Sequence, residues 1–148
     1  MTSAGLDLSA ISLPISPSPD ALPFWDACTE GRLVLPHCDA CGESFFYPRS
    51  TCPSCGSRAL SWRDASGRGV VHAFCIHHHS SLGFLQPLLP FVTALVRLEE
   101  GPTIMALLDA PADPASVRCD MPVEATFCAT ADGTVVPVFV PRRAVQIV

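Results

Sequence analysis

Four cysteines in the first half of the chain have the spacing of a metal site. Cys38 and Cys41 form one Cys-x-x-Cys pair, Cys52 and Cys55 form a second, and ten residues separate the two pairs. Two residues between cysteines let one tight turn direct both sulfurs at the same ion, and two such turns complete a tetrahedron. The spacing therefore predicts a Zn²⁺ site with these four thiolates as ligands.

A site of four sulfurs has no open coordination position, so we expect one structural rather than catalytic zinc ion per chain. A rubredoxin-like iron site uses similar spacing and stays an alternative. Gly42 and Gly56 follow the two pairs, and glycine can adopt the positive φ that lets backbone amides approach a sulfur. His37 precedes the first pair, and because four thiolates satisfy zinc, we expect this histidine at the surface.

The other four cysteines lack the spacing of a metal site. They lie among apolar neighbours, and we expect them to be buried free thiols; they are Cys28, Cys75, Cys119 and Cys128.

A run of histidines could also do chemistry. His77, His78 and His79 end a predicted strand, and alternation places His77 and His79 on one face and His78 with His72 on the other. Two imidazoles on one face could bind a metal or a phosphate. No carboxylate or cysteine nearby in sequence completes such a site, so we favour a polar strand end at the mouth of a barrel.

Composition limits the classes of function. The 148 residues include fourteen acidic and nine basic side chains, all arginine, for a formal charge of −5, which opposes non-specific binding to nucleic acid. No apolar run is long enough to span a membrane, and no basic residue precedes the first apolar positions as in a secretory signal. The paired Cys-x-x-Cys spacing indicates metal binding and not disulfides. This fits a reducing compartment, so we expect a cytoplasmic protein.

The elements that position these residues divide the chain into four parts. Residues 1–18, rich in Ser and Pro, are expected to form a flexible leader. Residues 19–36 should form a short helix, anchored by Phe24 and Trp25, and a lead-in strand. The predicted zinc ribbon covers residues 37–65 and the predicted barrel residues 66–148.

Five strands rich in Val, Ile, Phe and Thr follow one another after Gly69, with turns at Gly101 and Gly133. Five antiparallel strands without a long helix favour a closed barrel of the OB type, and a small sandwich is the competing topology. The segment 81–91, SLGFLQPLLPF, is a loop with an unusual apolar content. It either caps its own barrel or docks into another protein.

The order of these features resembles a known family along nearly the whole chain after residue 18. The resemblance rests on Phe24-Trp25, both cysteine pairs, Tyr47-Pro48, the turn at 66–69 and the hairpin at 100–102. The family is an acyl-CoA-associated one, known as domain of unknown function thirty-five, in which a rubredoxin-like zinc ribbon precedes an OB fold. It implies a mainly β protein whose four paired cysteines bind zinc, with no catalytic residue. Relatives commonly have Gly where this chain has Asp120.

The resemblance also implies a partner. Members of this family are accessory subunits of thiolase-superfamily enzymes, which transfer acyl groups of acyl-CoA or polyketide pathways, or form or cleave carbon–carbon bonds. The implied function is a non-catalytic subunit that bridges and supports such an enzyme in a hetero-oligomer, with contact to the acyl or CoA group left open. A steroid side-chain aldolase complex is one alternative within this class.

Two alternatives come from other classes. Zinc ribbons and OB folds also bind nucleic acid, and the aromatic run at 45–47 could stack on bases. The acidic charge argues against this function, since the one basic cluster consists of Arg49, Arg58, Arg63 and Arg68. The other is a small iron-containing electron carrier, which would leave the barrel without a role.

Overall fold

The computed structural model describes residues 6–110 and 114–142. Its helix α1 (Leu22–Thr29) follows a 3₁₀ turn at Pro19–Ala21. A proline in the first turn of α1 is tolerated because the first amides of a helix have no partner inside it. Phe24 and Cys28 on α1 are buried in the core that the helix shares with the barrel. The predicted short helix therefore packs against the barrel, with Phe24 as its main anchor.

The ribbon is built on a two-stranded antiparallel sheet of β1 (Val34–Cys38) and β2 (Leu60–Asp64). Cys38 lies opposite Leu60 at one end of this sheet and Val34 opposite Asp64 at the other. The pairing holds the two ends of the metal-binding segment together. We predicted β1 as the lead-in strand but predicted no strand at residues 60–64.

Five further strands close into a barrel in the order β3-β4-β5-β7-β6. This confirms the predicted five-stranded barrel and rules out the sandwich. All neighbouring pairs are antiparallel except β5 and β7, which pair in parallel. The strands are β3 (Arg68–His77), β4 (Phe91–Leu98), β5 (Thr103–Leu108), β6 (Pro122–Ala129) and β7 (Val135–Pro141).

The predicted leader packs against the barrel where the structure describes it. Leu8 and Ile11 are buried in a second apolar cluster, together with Phe91 and Val138. The amide of Ala131 also donates a hydrogen bond to the carbonyl of Ile11 at 2.7 Å. The flexibility of the leader stays a prediction, while apolar side chains of residues 6–15 belong to this cluster; residues 1–5 lie outside the described part.

The apolar loop joins the same cluster. Its 3₁₀ turn Gly83–Leu88 buries Leu88 beside Leu8, while Leu82 stays 51% exposed. Of the two roles that the sequence left open, the structure favours packing on the chain's own barrel for this half of the loop. No helix in the ranges 6–110 and 114–142 is long and apolar enough to cross a membrane.

A β-bulge at His72 changes the alternation along β3. Val71 pairs with Val96 and Ala73 with Leu95, so His72 is an extra residue. His72 contacts Arg97 and His77 contacts Thr93. Because Arg97 and Thr93 are four residues apart on β4, they share a face. The predicted separation of His72 and His77 onto opposite faces is therefore wrong.

Candidate metal centre

The structure brings the four paired cysteines together. Their Sγ atoms all lie within 4.8 Å of one another. The Cys38 and Cys55 sulfurs are 3.6 Å apart, and those of Cys41 and Cys52 are 3.7 Å apart. Four Zn–S bonds of about 2.3 Å form a tetrahedron with edges of about 3.8 Å. The sulfur positions thus fit one tetrahedral ion.

The two cysteine turns share one backbone pattern. The amide of the first cysteine donates to the carbonyl five residues later, Cys38 to Glu43 at 2.8 Å and Cys52 to Ser57 at 2.9 Å. The glycine after each pair donates back to that first cysteine at 2.9 Å, with φ of +80° and +77°. Only glycine adopts this conformation without steric cost, so both glycines have the role expected from the sequence.

Backbone amides also point at the sulfurs. The amide of Cys41 is 3.5 Å from the Cys38 sulfur, and that of Ser54 is 3.4 Å from the Cys52 sulfur. The amide of Cys41 lowers the pKa of Cys38, and the amides of Cys55 and Ser54 lower the pKa of Cys52 to about 7. These amides favour the thiolate, which is the form that binds a metal.

The second cysteine of each pair behaves differently. The amide of Glu43 lowers the pKa of Cys41, but burial and the neighbouring sulfurs outweigh it and raise that pKa to about 12. The amide of Ser57 likewise lowers the pKa of Cys55, while the Cys38 sulfur contributes to a net increase. Four thiolates at this distance repel one another, so the fully ionised set requires a bound cation.

His37 does not lie at the surface as expected. Its side chain, on β1, is only 9% exposed, and its Nδ1 is 3.1 Å from the hydroxyl of Ser44. The expectation was wrong because β1 is buried along its whole length. His37 supports the first cysteine turn and is not part of the sulfur cluster.

The histidine run forms no second metal site in the described part of the chain. There, the four paired cysteines are the only group of three or more His, Cys, Asp or Glu side chains close enough to hold one ion. His77 instead stacks on Phe91 at 4.5 Å between ring centroids, and its Nε2 is 2.9 Å from the hydroxyl of Thr93. His78 and His79 are exposed beyond the end of β3.

The remaining cysteines differ in burial. Cys28 is fully buried, and burial raises its pKa to about 11. Cys128 is half-buried, whereas Cys75 and Cys119 are exposed. The expectation of buried thiols is confirmed for Cys28 and wrong for the two exposed cysteines, since one lies on an open part of β3 and the other in the turn before β6.

The aromatic run at 45–47 gives little support to base stacking. Phe45 is buried, and the ring of Phe46 packs against Phe24 at 5.2 Å. Tyr47 is 56% exposed, but its ring packs against Phe46 at 4.6 Å between centroids. Arg68, from the basic cluster, forms an ion pair with Glu99 at 3.3 Å.

An apolar pocket of about 260 Å³ opens where the leader, α1, the ribbon and the barrel meet. Tyr47 and Met105 line it and are 56% and 58% exposed. Sequence reasoning missed this pocket because its wall comes from distant segments; the Tyr47-Pro48 motif was the one local signal. The other lining residues, none charged, are Leu13, Ile15, Ala21, Phe24, Trp25, Phe46, Pro48, Ile104, Ala106, Leu107, Val136 and Pro137.

A four-cysteine ribbon followed by a closed five-stranded barrel defines the class of zinc-ribbon and OB-fold proteins. The model of the ChsH2 rubredoxin-like zinc ribbon domain matches residues 25–61, and that of the ChsH2 C-terminal OB-fold domain matches residues 62–128. A DUF35 domain-containing scaffold protein of Methanothermobacter thermautotrophicus is 32% identical over 97 residues, 65% of this chain and 71% of that protein. The chain belongs to the DUF35 family, as the resemblance implied.

Two further similarities extend over most of the chain. The 3-oxo-4,17-pregnadiene-20-carboxyl-CoA hydratase alpha subunit of Mycobacterium tuberculosis is 36% identical over 122 residues, 82% of this chain and 38% of that subunit. A solved chain described as "Ltp2-ChsH2(DUF35) aldolase" superposes with a TM-score of 0.77 at 29% identity, covering 86% of this chain and 98% of that one. The match covers between about a third and two thirds of the length of the first curated relatives.

Proposed function

We propose that this protein is a non-catalytic accessory subunit that supports a thiolase-superfamily enzyme acting on acyl-CoA or related acyl groups. The observation that carries the proposal is the similarity to the chain of the Ltp2-ChsH2(DUF35) aldolase, which extends over 98% of that chain. The name "scaffold protein" of the archaeal relative supports the same role. The word "aldolase" in the name of that solved chain favours carbon–carbon cleavage among the reactions of this superfamily.

The metal belongs to this proposal as a structural element. Cys38, Cys41, Cys52 and Cys55 would hold one Zn²⁺, because the sulfur spacing matches a tetrahedral set and the amides favour thiolates. Four sulfurs occupy every position of tetrahedral zinc. When bound, the ion therefore supplies no site for water or substrate and instead holds the two cysteine turns together.

The rest of the described chain supports a binding role. Its apolar pocket has two exposed residues, Tyr47 and Met105, at its wall. Exposed apolar surface of this kind is typical of interaction sites. We therefore assign the nucleophile and the acid–base chemistry to the catalytic partner.

The names of the relatives support a second candidate partner. The relative from Mycobacterium tuberculosis is a hydratase alpha subunit, and this chain matches 38% of it. A hydratase would then take the place of the thiolase-superfamily enzyme, while the accessory role stays the same. The name of the hydratase subunit gives the CoA ester of a pregnadiene carboxylic acid as its substrate, so a steroid side-chain complex is the more specific form of the proposal.

Reconstitution separates these possibilities. The purified zinc-loaded chain, a candidate thiolase-superfamily enzyme and a candidate hydratase are assayed alone and in pairs with CoA-ester substrates. We expect no turnover by the chain alone and a large gain in activity or solubility of the thiolase-superfamily enzyme when the chain is added. Turnover by the chain alone would refute the non-catalytic role, and a gain only with the hydratase would favour the second partner.

A further inference from the structure

The second half of β3 has an unpaired backbone edge. β3 pairs with β4 as far as His77, but with β6 only through Arg68–Val70. Val71 still has partners on the β6 side, since its amide donates to Met121 at 3.0 Å and its carbonyl accepts from Asp120 at 2.7 Å. Beyond this point, the backbone of residues 73–77 that faces away from β4 has no backbone hydrogen-bond partner among residues 6–110 and 114–142, although the Cys75 thiol lies 3.9 Å from the Ile76 carbonyl. We name residues 73–77 on this side the β3 edge.

The β3 edge follows the bulge at His72, which is one of the features that protect free strands, but it lacks the other such features. Natural edges are covered, or carry Lys, Pro or inward-pointing charges. Residues 73–77 read Ala-Phe-Cys-Ile-His and contain none of these. Phe74 is 36% exposed, and Cys75 is exposed. An apolar strand with free amides and carbonyls is therefore available for pairing with another strand.

Charge does not oppose association at this place. The chain has a formal charge of −5, which would keep two copies apart if the carboxylates lay at the contact. However, residues 65–98, which include all of β3 and β4, contain no Asp or Glu. The repelling charges are outside this hairpin in sequence, and the strand itself brings no like-charged pair of carboxylates.

We propose that the β3 edge pairs with the same edge of a second copy of this chain, antiparallel, about a two-fold axis at Cys75. Such an interface is self-complementary, as two-fold symmetry requires. Cys75 then lies opposite Cys75 of the second copy, and Phe74 lies opposite Ile76 in two equivalent contacts. The apolar residues are placed symmetrically about Cys75, and this symmetry favours a second copy over a different protein. The proposal goes beyond the accessory role and does not depend on it.

Side-chain direction supports this register. Residues 74 and 76 lie on the same face of β3, because side chains alternate along a strand. Ile76 already packs against the barrel core, while Phe74 is partly in water. Directly opposed side chains in an antiparallel pair have Cβ atoms about 5 Å apart, so each Phe74 would cover its ring against Ile76 of the other copy.

Sedimentation equilibrium and cross-linking of the metal-loaded full chain test the proposal. We expect a species of twice the 15.7 kDa chain mass that dissociates on dilution. In a Cys119→Ser background, a short bismaleimide should join two chains through Cys75, and Cys75→Ser should lose this product. Phe74→Lys should raise the dissociation constant about tenfold or more. Leu22→Lys, which changes an exposed leucine on α1, should leave it unchanged.

Three results would overturn the proposal. One is a monomer at every concentration, with circular dichroism showing that the chain is folded. Another is a dimer whose mass and cross-link persist in folded Phe74→Lys and Cys75→Ser. The third is a monomeric chain in which Phe74→Lys prevents binding of the catalytic enzyme, because the edge would then pair with that enzyme and not with a second copy.

Discussion

Gly69 and Arg97 are in such close contact across β3 and β4 that a Cβ atom on Gly69 would lie 2.4 Å from the Arg97 carbonyl oxygen. That distance is far below van der Waals contact, and the obstructing atom belongs to the backbone. Gly69→Ala must therefore separate the two strands at the start of the barrel. We expect it to lower the free energy of unfolding by about 3 kcal/mol, measured by denaturant unfolding.

Gly83→Ala is the matched control for this prediction. An added Cβ at Gly83 meets no atom within 4 Å, so the same chemical change should have little effect. Equal stability of the Gly69→Ala and wild-type chains would show that the two strands can move apart at this position at little cost.

Removal of one sulfur from the metal centre should abolish metal retention. Cys52→Ser leaves three thiols around the ion, so we expect the zinc content, measured by plasma emission spectrometry, to fall from one per chain to near zero. Since metal binding contributes to folding, the ribbon should also lose protection in hydrogen exchange, while barrel strands keep theirs. Cys75→Ser, which removes an exposed thiol outside the cluster, should retain the metal. Full zinc retention by Cys52→Ser would contradict the assigned ligand set.

Cys28 should make stability depend on pH in the alkaline range. Burial raises its pKa from 9.0 to about 11, so the folded state favours the neutral thiol. The resulting stability is fully present below pH 9 and is lost as pH rises from 9 towards 11, with a loss on the order of 2 kcal/mol. The measurement is the free energy of unfolding against pH for wild type and Cys28→Ala. Parallel curves would contradict the prediction.

The exposed thiols should react with alkylating reagents before the buried one. At pH 8 the Cys28 thiolate is scarce and its side chain is inaccessible, whereas Cys75 and Cys119 are exposed. We expect iodoacetamide to label the two exposed cysteines in the metal-loaded folded chain and Cys28 only after unfolding. Peptide mass spectrometry measures this order, and labelling of all three at the same rate would contradict it.

Asp120 occupies a turn position that favours glycine. Its φ is +66°, in the left-handed region that glycine adopts without steric cost. Asp120→Gly should raise the free energy of unfolding by about 1 kcal/mol, and Asp120→Ala should lower it. Both variants remove the carboxylate, so opposite changes in the free energy of unfolding would show that backbone strain, and not the lost charge, decides the effect. Thermal unfolding measures both, and destabilisation by Asp120→Gly would show that the aspartate itself is needed.

The features that the sequence predicted correctly have local signals. The cysteine spacing indicates one tetrahedral site without reference to the rest of the chain. Each barrel strand is marked by its own run of β-branched and aromatic residues and by turns at Gly101 and Gly133. The prediction of a closed barrel was based on five successive strands without a long helix between them.

The features that the sequence did not predict depend on partners that are distant in the chain. Leu60–Asp64 contains polar residues and becomes a strand through pairing with Val34–Cys38. Leu8 and Ile11 lie in a segment rich in Ser and Pro, yet the apolar loop and β7 provide a surface that buries them. The bulge at His72 changes the face of every later residue of β3 and has no signal in the local pattern.

Affinity purification from the source cell tests the central claim, that this chain is the accessory subunit of an acyl-CoA enzyme, most directly. The tagged chain is recovered without chelators, co-eluting proteins are identified and quantified by mass spectrometry, and zinc is measured in the same eluate. We predict a thiolase-superfamily protein in fixed proportion to the chain and one zinc per chain. Recovery of the zinc-loaded chain without any such enzyme, or with nucleic acid instead, would contradict the claim.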